Sequence, residues 1–504
     1  MDRIQTFAKN IVIFFFLVIT GYLSVSSFLI NADMPLDGIS ERTVFHKNLY
    51  LLTLIFLIFI LYMVCRFKER IASADTKKLV RCLIFYDFIL CILWIVLCNT
   101  REGADQAQVL YAAKGFAEGN YEKLAYNQYM GMFPYQLPLA LLYEPFYILF
   151  GDVTPFLWQL INAVLICAIQ YLLYLIVRNW RTEKVVVNWY LLLQFGNLPL
   201  ILYVSFIYGT IIGLFLALAA LWFLLKYSTE RKWKCLILSA LCIACACLLR
   251  TNNVIVMIAL IIVAVMSAMR SDKRLLILIP MFVLFFGCGR WSVCKFYEMR
   301  SGMKISDGVP AAMFIAMGLS DNTERAAGWY NGYNWDVYLE LDCDNGAAGT
   351  FARDRIRESL SKFRSSPAYT WKFFLEKTHS TWLNPDLQGL WNNDHHGHYV
   401  ARAPVVNNLF TGELHLLAET VLGNFQFLIY FGAFLFALCY GKRADWQHLS
   451  LAIIFIGGFL FHLFWETKAQ YVIVYYILLF PYAAAGLFML SEKLALKCRE
   501  FFGK

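Results

Sequence analysis

Four short polar clusters interrupt an otherwise apolar chain, and each holds side chains able to do chemistry. The first is Thr100-Arg101-Glu102-Gly103-Ala104-Asp105-Gln106. Asp105 is a candidate general base, a carboxylate placed to take a proton from an attacking hydroxyl. Glu102 is a second carboxylate beside it, and Arg101 a cation for an anionic substrate. The same acids could instead open an amphipathic helix over QAQVLYAAKGFAEG, where negative charge favours the N-terminal dipole.

The second cluster is Leu248-Leu249-Arg250-Thr251-Asn252-Asn253, a polar knot between two short apolar blocks. An arginine held in a hairpin is a good fixed cation for a phosphate, although simple snorkelling to the membrane interface would also place it there. The third runs from His462 to Tyr471 (HLFWETKAQY) and offers Glu466, Lys468 and Tyr471 within a few residues. It could line a cavity near a lipid headgroup or form a solvated hairpin with an aromatic belt. The fourth, Asn392-Asn393-Asp394-His395-His396-Gly397-His398, has the ligand types for a divalent cation. No second cluster with helix-fixed spacing supports a metal there, and a surface loop is the alternative. The chain carries no Gly-rich phosphate loop, nucleophile elbow or dinucleotide fingerprint, so no cofactor is expected.

These clusters must be held by the segments between them. Of 504 residues, 60% are hydrophobic and only 16% charged, well below the quarter usual in soluble domains. The apolar residues gather in blocks of about twenty, the length a helix needs to cross a bilayer. Each backbone amide must there be satisfied within its own segment, which leaves helices. Twelve spans are expected, near 11–30, 48–65, 81–98, 154–177, 186–204, 209–226, 235–249, 254–269, 275–294, 421–440, 447–465 and 470–490. The link holding Arg66, Lys68, Arg70, Lys77, Lys78 and Arg81 is basic and so cytoplasmic. That puts the N-terminus inside and residues 31–47, with Asp33, Asp37 and Glu41, outside; the C-terminus is inside as well if the block at 133–150 does not cross.

The block at 133–150 decides the parity. If it crosses, the basic links Arg178/Arg181/Lys184, Arg231/Lys232/Lys234, Arg270/Lys273/Arg274 and Lys442/Arg443 all fall outside. Pro134, Pro138, Glu144 and Pro145 also suit a lipid-exposed helix poorly. The expectation is a re-entrant or interfacial helix within one external region, 99–153. The chain then divides into a transmembrane catalytic module (1–294), an external lobe (295–420) with helical periodicity at 352–364 and 367–381, and C-terminal spans (421–504). The first block could be a signal peptide, but its length favours a retained helix.

Composition also excludes partners. The net charge of +9 sits in short links that face headgroups, so nucleic acid is not expected. Most of the 14 cysteines lie inside apolar blocks as packing residues, and the long hydrophilic stretch holds only Cys343, so it has no disulfide framework.

In order and placement the clusters resemble the GT-C fold glycosyltransferases, membrane enzymes that use polyprenyl-phosphate-linked sugars. Protein O-mannosyltransferases and lipid A aminoarabinose transferases belong to that class. The likeness lies in Asp105 within REGADQAQ, the Tyr129-Met130-Gly131-Met132-Phe133-Pro134-Tyr135 stretch and Gly151-Asp152. It continues through the LLRTNN turn, a long loop with Gly318-Leu319 and Gly328-Trp329-Tyr330, and Glu466-Thr467-Lys468-Ala469-Gln470-Tyr471. The departures are Gln470 where an arginine often stands and Gln106 where a second acid often follows. The resemblance implies an all-α GT-C-like bundle and an inverting transfer of a sugar from a polyprenyl-phosphate donor to a glycan or protein hydroxyl outside the cell membrane. It implies Asp105 as base, Arg250 and Lys468 on the departing phosphate, and Glu466 orienting the acceptor or that lysine. A polymerase or ligase of lipid-linked glycans is the alternative, relying on external arginines and the HHGH cluster. A lipid-linked oligosaccharide flippase or transporter is a third, although few charges lie in span centres and no half-to-half symmetry is evident.

Overall fold

A computed structural model describes residues 2–36, 41–180, 182–270, 272–321, 325–394 and 402–502. It is a predominantly helical, multi-pass membrane protein. Among the described residues ten helices are long and apolar enough to cross a bilayer, and a pair bent by 47°, Lys184–Gln194 with Leu198–Ser205, would make eleven. The expected segments fall mainly on helix, with 186–204 broken at 195–197. Trp233–Leu249, however, has only 17 residues, short of the roughly 20 a crossing needs.

The outermost helices carry their apolar side chains on the outside. Tyr50–Ser73 leaves Leu51, Ile55, Ile58 and Phe59 exposed, and Leu278–Ser301 does the same with Val283 and Leu284. Water would penalise such surfaces, whereas hydrocarbon does not. The most buried member, Ile473–Lys497, runs through the centre and packs along Glu413–Tyr440.

Two features depart from a plain bundle. Ile30–Asp33 pairs antiparallel with Val44–Lys47 in a two-stranded ribbon, which nothing in the apolar patterning announces. The hydrophilic stretch after Ser301 also packs into the bundle's own core. Met313, Tyr338, Trp382 and Leu387 belong to the same continuous cluster as the central helices, and the Trp382 ring lies 5.4 Å from both Phe455 and Phe459.

The helix Leu137–Phe150 packs along Ala104–Ala117, the helix that opens with Asp105. Its acid is compensated: Glu144 accepts from the Tyr297 hydroxyl at 2.9 Å and is ion-paired with Arg300. A short 3-10 turn, Gly151–Val153, separates it from Thr154–Asn179.

Candidate functional site

The Asp105 helix is anchored at its first turn. Gln106 is buried, and its Oε1 accepts from the Ile207 amide at 3.1 Å, joining the helix start to the turn that precedes Thr210–Glu230. Ala104 enters the helix with φ of 45°, a region costly for a residue with a Cβ and found where a fold holds a side chain in a set direction. The same turn closes on Arg250. Gly209 has φ of 77°, and a Cβ there would sit 2.5 Å from the Leu249 carbonyl oxygen. Only glycine lets the two turns meet.

The third cluster is fixed by the long loop. The Glu466 amide donates to the Phe314 carbonyl at 3.1 Å and the Thr467 amide to that of Gly328 at 3.0 Å, while Trp329 bridges Thr467. At Gly318 a Cβ would fall within 2.6 Å of the Phe464–Glu466 backbone. The glycines of the long loop thus bring that loop against the Glu466 turn. Lys377 clamps the junction from below, donating to the Gly318 carbonyl and, at 2.9 Å, to that of Trp465. Burial lowers its ammonium to about 7, against a small opposing pull from Glu466.

These turns enclose connected chambers, and Asp105 lines three of them. The first, about 470 Å³, is walled by Tyr129, Tyr135, Tyr208, Phe314, Tyr330 and Trp465, with Arg250, Arg290, Glu466, Asp307, Asn252 and Asn345 among its polar groups. The second, about 220 Å³, holds Glu41, Arg325, Lys468, Asn392 and Gln470. The third, about 410 Å³, lies over Gln108, Lys123, Gln128 and Trp335. Asp105 keeps substantial open surface, yet protein surrounds it, and that surface is chamber wall.

Enclosure raises the Asp105 carboxyl above the ordinary range, Lys468 and Arg250 pull it back, and Glu41 pushes with the rise. The neighbouring Tyr129 hydroxyl also pulls the carboxyl down. Tyr129 lies 2.8 Å from the Tyr208 hydroxyl, which accepts from Gln136 Nε2 at 2.6 Å. If Tyr129 donates to Asp105, every proton in this chain points toward the carboxylate, which supports its ionised form.

The cations of the two principal chambers differ. Arg250 stacks on the rings of Tyr208 and Tyr471, at 4.6 and 5.8 Å, and no described residue hydrogen-bonds or ion-pairs with its guanidinium. Arg290 likewise lacks such a partner among the described residues, and it also borders a narrow apolar crevice of Pro134, Pro138, Cys247, Leu248, Phe286 and Val293. Lys468, in contrast, meets both Glu41 oxygens, at 2.7 and 2.6 Å, and Glu41 also takes Arg325 at 3.1 Å and Gln388 at 3.1 Å.

Of the residues singled out in the sequence, Asp105, Arg250, Glu466 and Tyr471 share the first chamber and Lys468 faces the second. Glu466 accepts from the Tyr471 hydroxyl at 2.8 Å and is not bonded to Lys468; burial drives its carboxyl upward. Arg101 and Glu102 line none of these chambers, because both precede the residues at the helix start, Gly103 onward, that reach them. His395, His396 and His398 lie outside the described residues, while Asp394 is paired with Arg402 at 2.5 Å. Sequence reasoning missed Glu41, Arg290, Arg325 and Lys377. Arg290 alone left a signal, as a charge well inside an apolar block.

Compared with known proteins, the chain matches no family model, no curated protein and no solved structure.

Proposed function

We propose that the chain is a membrane glycosyltransferase that moves a sugar from a polyprenyl-phosphate donor to an acceptor hydroxyl, with Asp105 as base. The observation that carries this reading is the position of Asp105, a carboxylate shared by a chamber with unpaired arginines and a chamber whose charges are already paired. The first suits a phosphate-linked sugar: aromatic walls for sugar faces, amide groups for hydroxyls, and Arg250 and Arg290 for the phosphate. The apolar crevice beside Arg290 suits the start of a lipid chain. The second chamber suits a neutral acceptor.

The acceptor oxygen attacks the anomeric carbon from the side of Asp105, which takes its proton. The bond from that carbon to the phosphate oxygen breaks, and the electron pair leaves with the phosphate toward Arg250 and Arg290. Charge grows on that oxygen as the bond opens, so fixed cations there stabilise the transition state more than the ground state. Glu466 holds the Tyr471 hydroxyl, and that ring backs Arg250. Lys468 is engaged by Glu41, so Arg290 replaces it in the phosphate role.

The basic-link distribution supports chambers on the non-cytoplasmic side with both termini within, and twelve crossings follow if both the bent pair and the 17-residue Trp233–Leu249 cross in addition to the ten long helices. The functional test incubates purified protein with a panel of polyprenyl-phosphate sugars and diphosphate-linked glycans. Stabilisation against heat by a monophosphate donor is expected. Stabilisation by the diphosphate-linked glycans alone would replace this reading with the polymerase or ligase one.

A further inference from the structure

A second cluster of ligating side chains lies apart from these chambers, where the ribbon after the first helix meets the start of Glu413–Tyr440. Asp33 ends the strand Ile30–Asp33, and His415 and Glu419 stand four residues apart on one face of the helix. One ligand atom from each of the three lies within 4.8 Å of the others.

The chemistry at each atom is that of a ligand. His415 Nδ1 lies 3.2 Å from the Leu409 carbonyl oxygen, an acceptor only, so this nitrogen carries the proton. In the neutral ring Nε2 then keeps its lone pair, the arrangement usual for metal-bound histidine. That Nε2 is 3.5 Å from Asp33 Oδ1, near the roughly 3.4 Å edge of a tetrahedron with metal bonds of about 2.1 Å. Glu419 is 9% exposed, and its Oε2 has no hydrogen-bond partner among the described residues. A buried carboxylate oxygen without a partner is costly and calls for a cation. No described lysine or arginine pairs with Asp33, Glu419 or the adjacent buried Asp386.

The surroundings are rigid. The Ala32 amide donates to the Leu383 carbonyl at 3.1 Å, Asn384 Nδ2 donates to that of Ala32 at 3.1 Å, and Gln426 Nε2 donates to that of Asn384 at 3.0 Å. The turn that follows carries Leu387 and Gln388 at φ of 53° and 66°, unfavourable for residues with a Cβ. Gln388 is the residue that reaches Glu41 in the second chamber.

We propose that Asp33, His415 and Glu419 bind one divalent first-row metal ion, Zn²⁺ or Mn²⁺, which locks the ribbon, this turn and the long helix together. One imidazole with two carboxylates suits those ions better than Ca²⁺ or Mg²⁺, which prefer all-oxygen shells.

The experiment measures metal content and thermal unfolding of the purified full chain, before and after chelation and with ZnCl₂, MnCl₂ or CaCl₂ restored. About one equivalent of Zn²⁺ or Mn²⁺ is expected, with a fall in Tm on chelation that the same ion reverses and Ca²⁺ does not. Glu419→Gln should lose the bound metal yet unfold at a higher temperature than chelated wild type, since it removes a buried, unpartnered carboxylate. His415→Gln, a second variant, should also lose the metal. Wild-type protein that takes up no stoichiometric Zn²⁺ or Mn²⁺ would overturn the proposal and leave a simple His415–Asp33 ion pair. Metal retained by both variants would overturn it as well.

Discussion

Two of the three chambers beside Asp105 use the same kinds of residue to opposite ends. In the second, Lys468 and Arg325 converge on Glu41, and their charge is spent within the protein. In the first, Arg250 lies between tyrosine rings, which hold a guanidinium in place without satisfying its donors. A cation kept in this way retains its hydrogen bonds for a ligand. Burying it without an acid costs stability, a cost proteins bear mainly at functional sites. On the proposed function, the contrast separates a place for an anion from a place for hydroxyls, with one carboxylate between them.

The strongest way to break that picture is at its centre. Asp105→Asn should lower transfer by about 10²- to 10⁴-fold, the usual worth of a general base, while donor binding persists. Single-turnover transfer and donor-dependent thermal stabilisation, measured on the same preparation, would check both halves. Transfer above a tenth of wild type removes Asp105 as base. Because enclosure raises the Asp105 carboxyl, protonation begins at a higher pH than for a free aspartate. Wild-type rate should thus fall on acidification before an ordinary carboxylate would titrate.

The next effect tests the cations against each other. Arg250→Ala should weaken donor binding by about tenfold to a hundredfold, the worth of one or two charge-assisted hydrogen bonds. Lys468→Met should leave donor affinity within about threefold, since its charge already has a partner. Donor titrations of the two variants decide the matter. Equal losses would mean that Lys468 also contacts the phosphate and that the chambers are not distinct.

A smaller effect concerns the paired chamber alone. Glu41→Gln should destabilise by about 2–3 kcal/mol, because it leaves the buried Lys468 ammonium without its carboxylate, and Lys468→Met by less, because Glu41 keeps Arg325. The double variant should lose less than the sum, with a coupling of about 1–2 kcal/mol in a denaturant double-mutant cycle. Strict additivity would show that the pair contributes no mutual energy, and the description of a self-neutralised chamber would fall.

How much of this was legible in the sequence follows from how local each signal is. Blocks of about twenty apolar residues announce membrane helices because the bilayer sets their length, and most of the expected segments are single long helices, the exceptions being the bent 186–204 and the short 235–249. Asp105, Arg250 and Glu466 were legible because each is a polar residue at the end of an apolar block, where few bland roles exist. Arg101 and Glu102 share that position, but both precede the helix start and line none of the chambers. Glu41 read only as a marker of sidedness, since its worth depends on Lys468, Arg325 and Gln388, all distant along the chain. The His415–Glu419 spacing was open to view, but the third ligand, Asp33, comes from the opposite end of the sequence. The packing of the 295–420 stretch into the common core was hidden for the same reason: its few large apolar residues, such as Trp382, show their partners only in three dimensions.

The smallest expected effect lies under the first chamber, at Lys377, which is 1% exposed. Its ammonium is lowered to about 7 in the folded protein, against about 10.4 for an unfolded lysine. Between those values the unfolded chain holds a proton that the folded chain has released, so raising pH favours folding, and the contribution is lost as pH falls through 7. In Lys377→Met the carbonyls of Gly318 and Trp465 lose their donor at every pH, but this slope disappears. The stability difference between wild type and variant should therefore widen by about 0.5–1 kcal/mol per unit from pH 7.5 to 9.5. Thermal unfolding of both proteins across that range reads it directly. Parallel curves would mean that Lys377 stays charged, and the cation count beneath Glu466 would then rise by one.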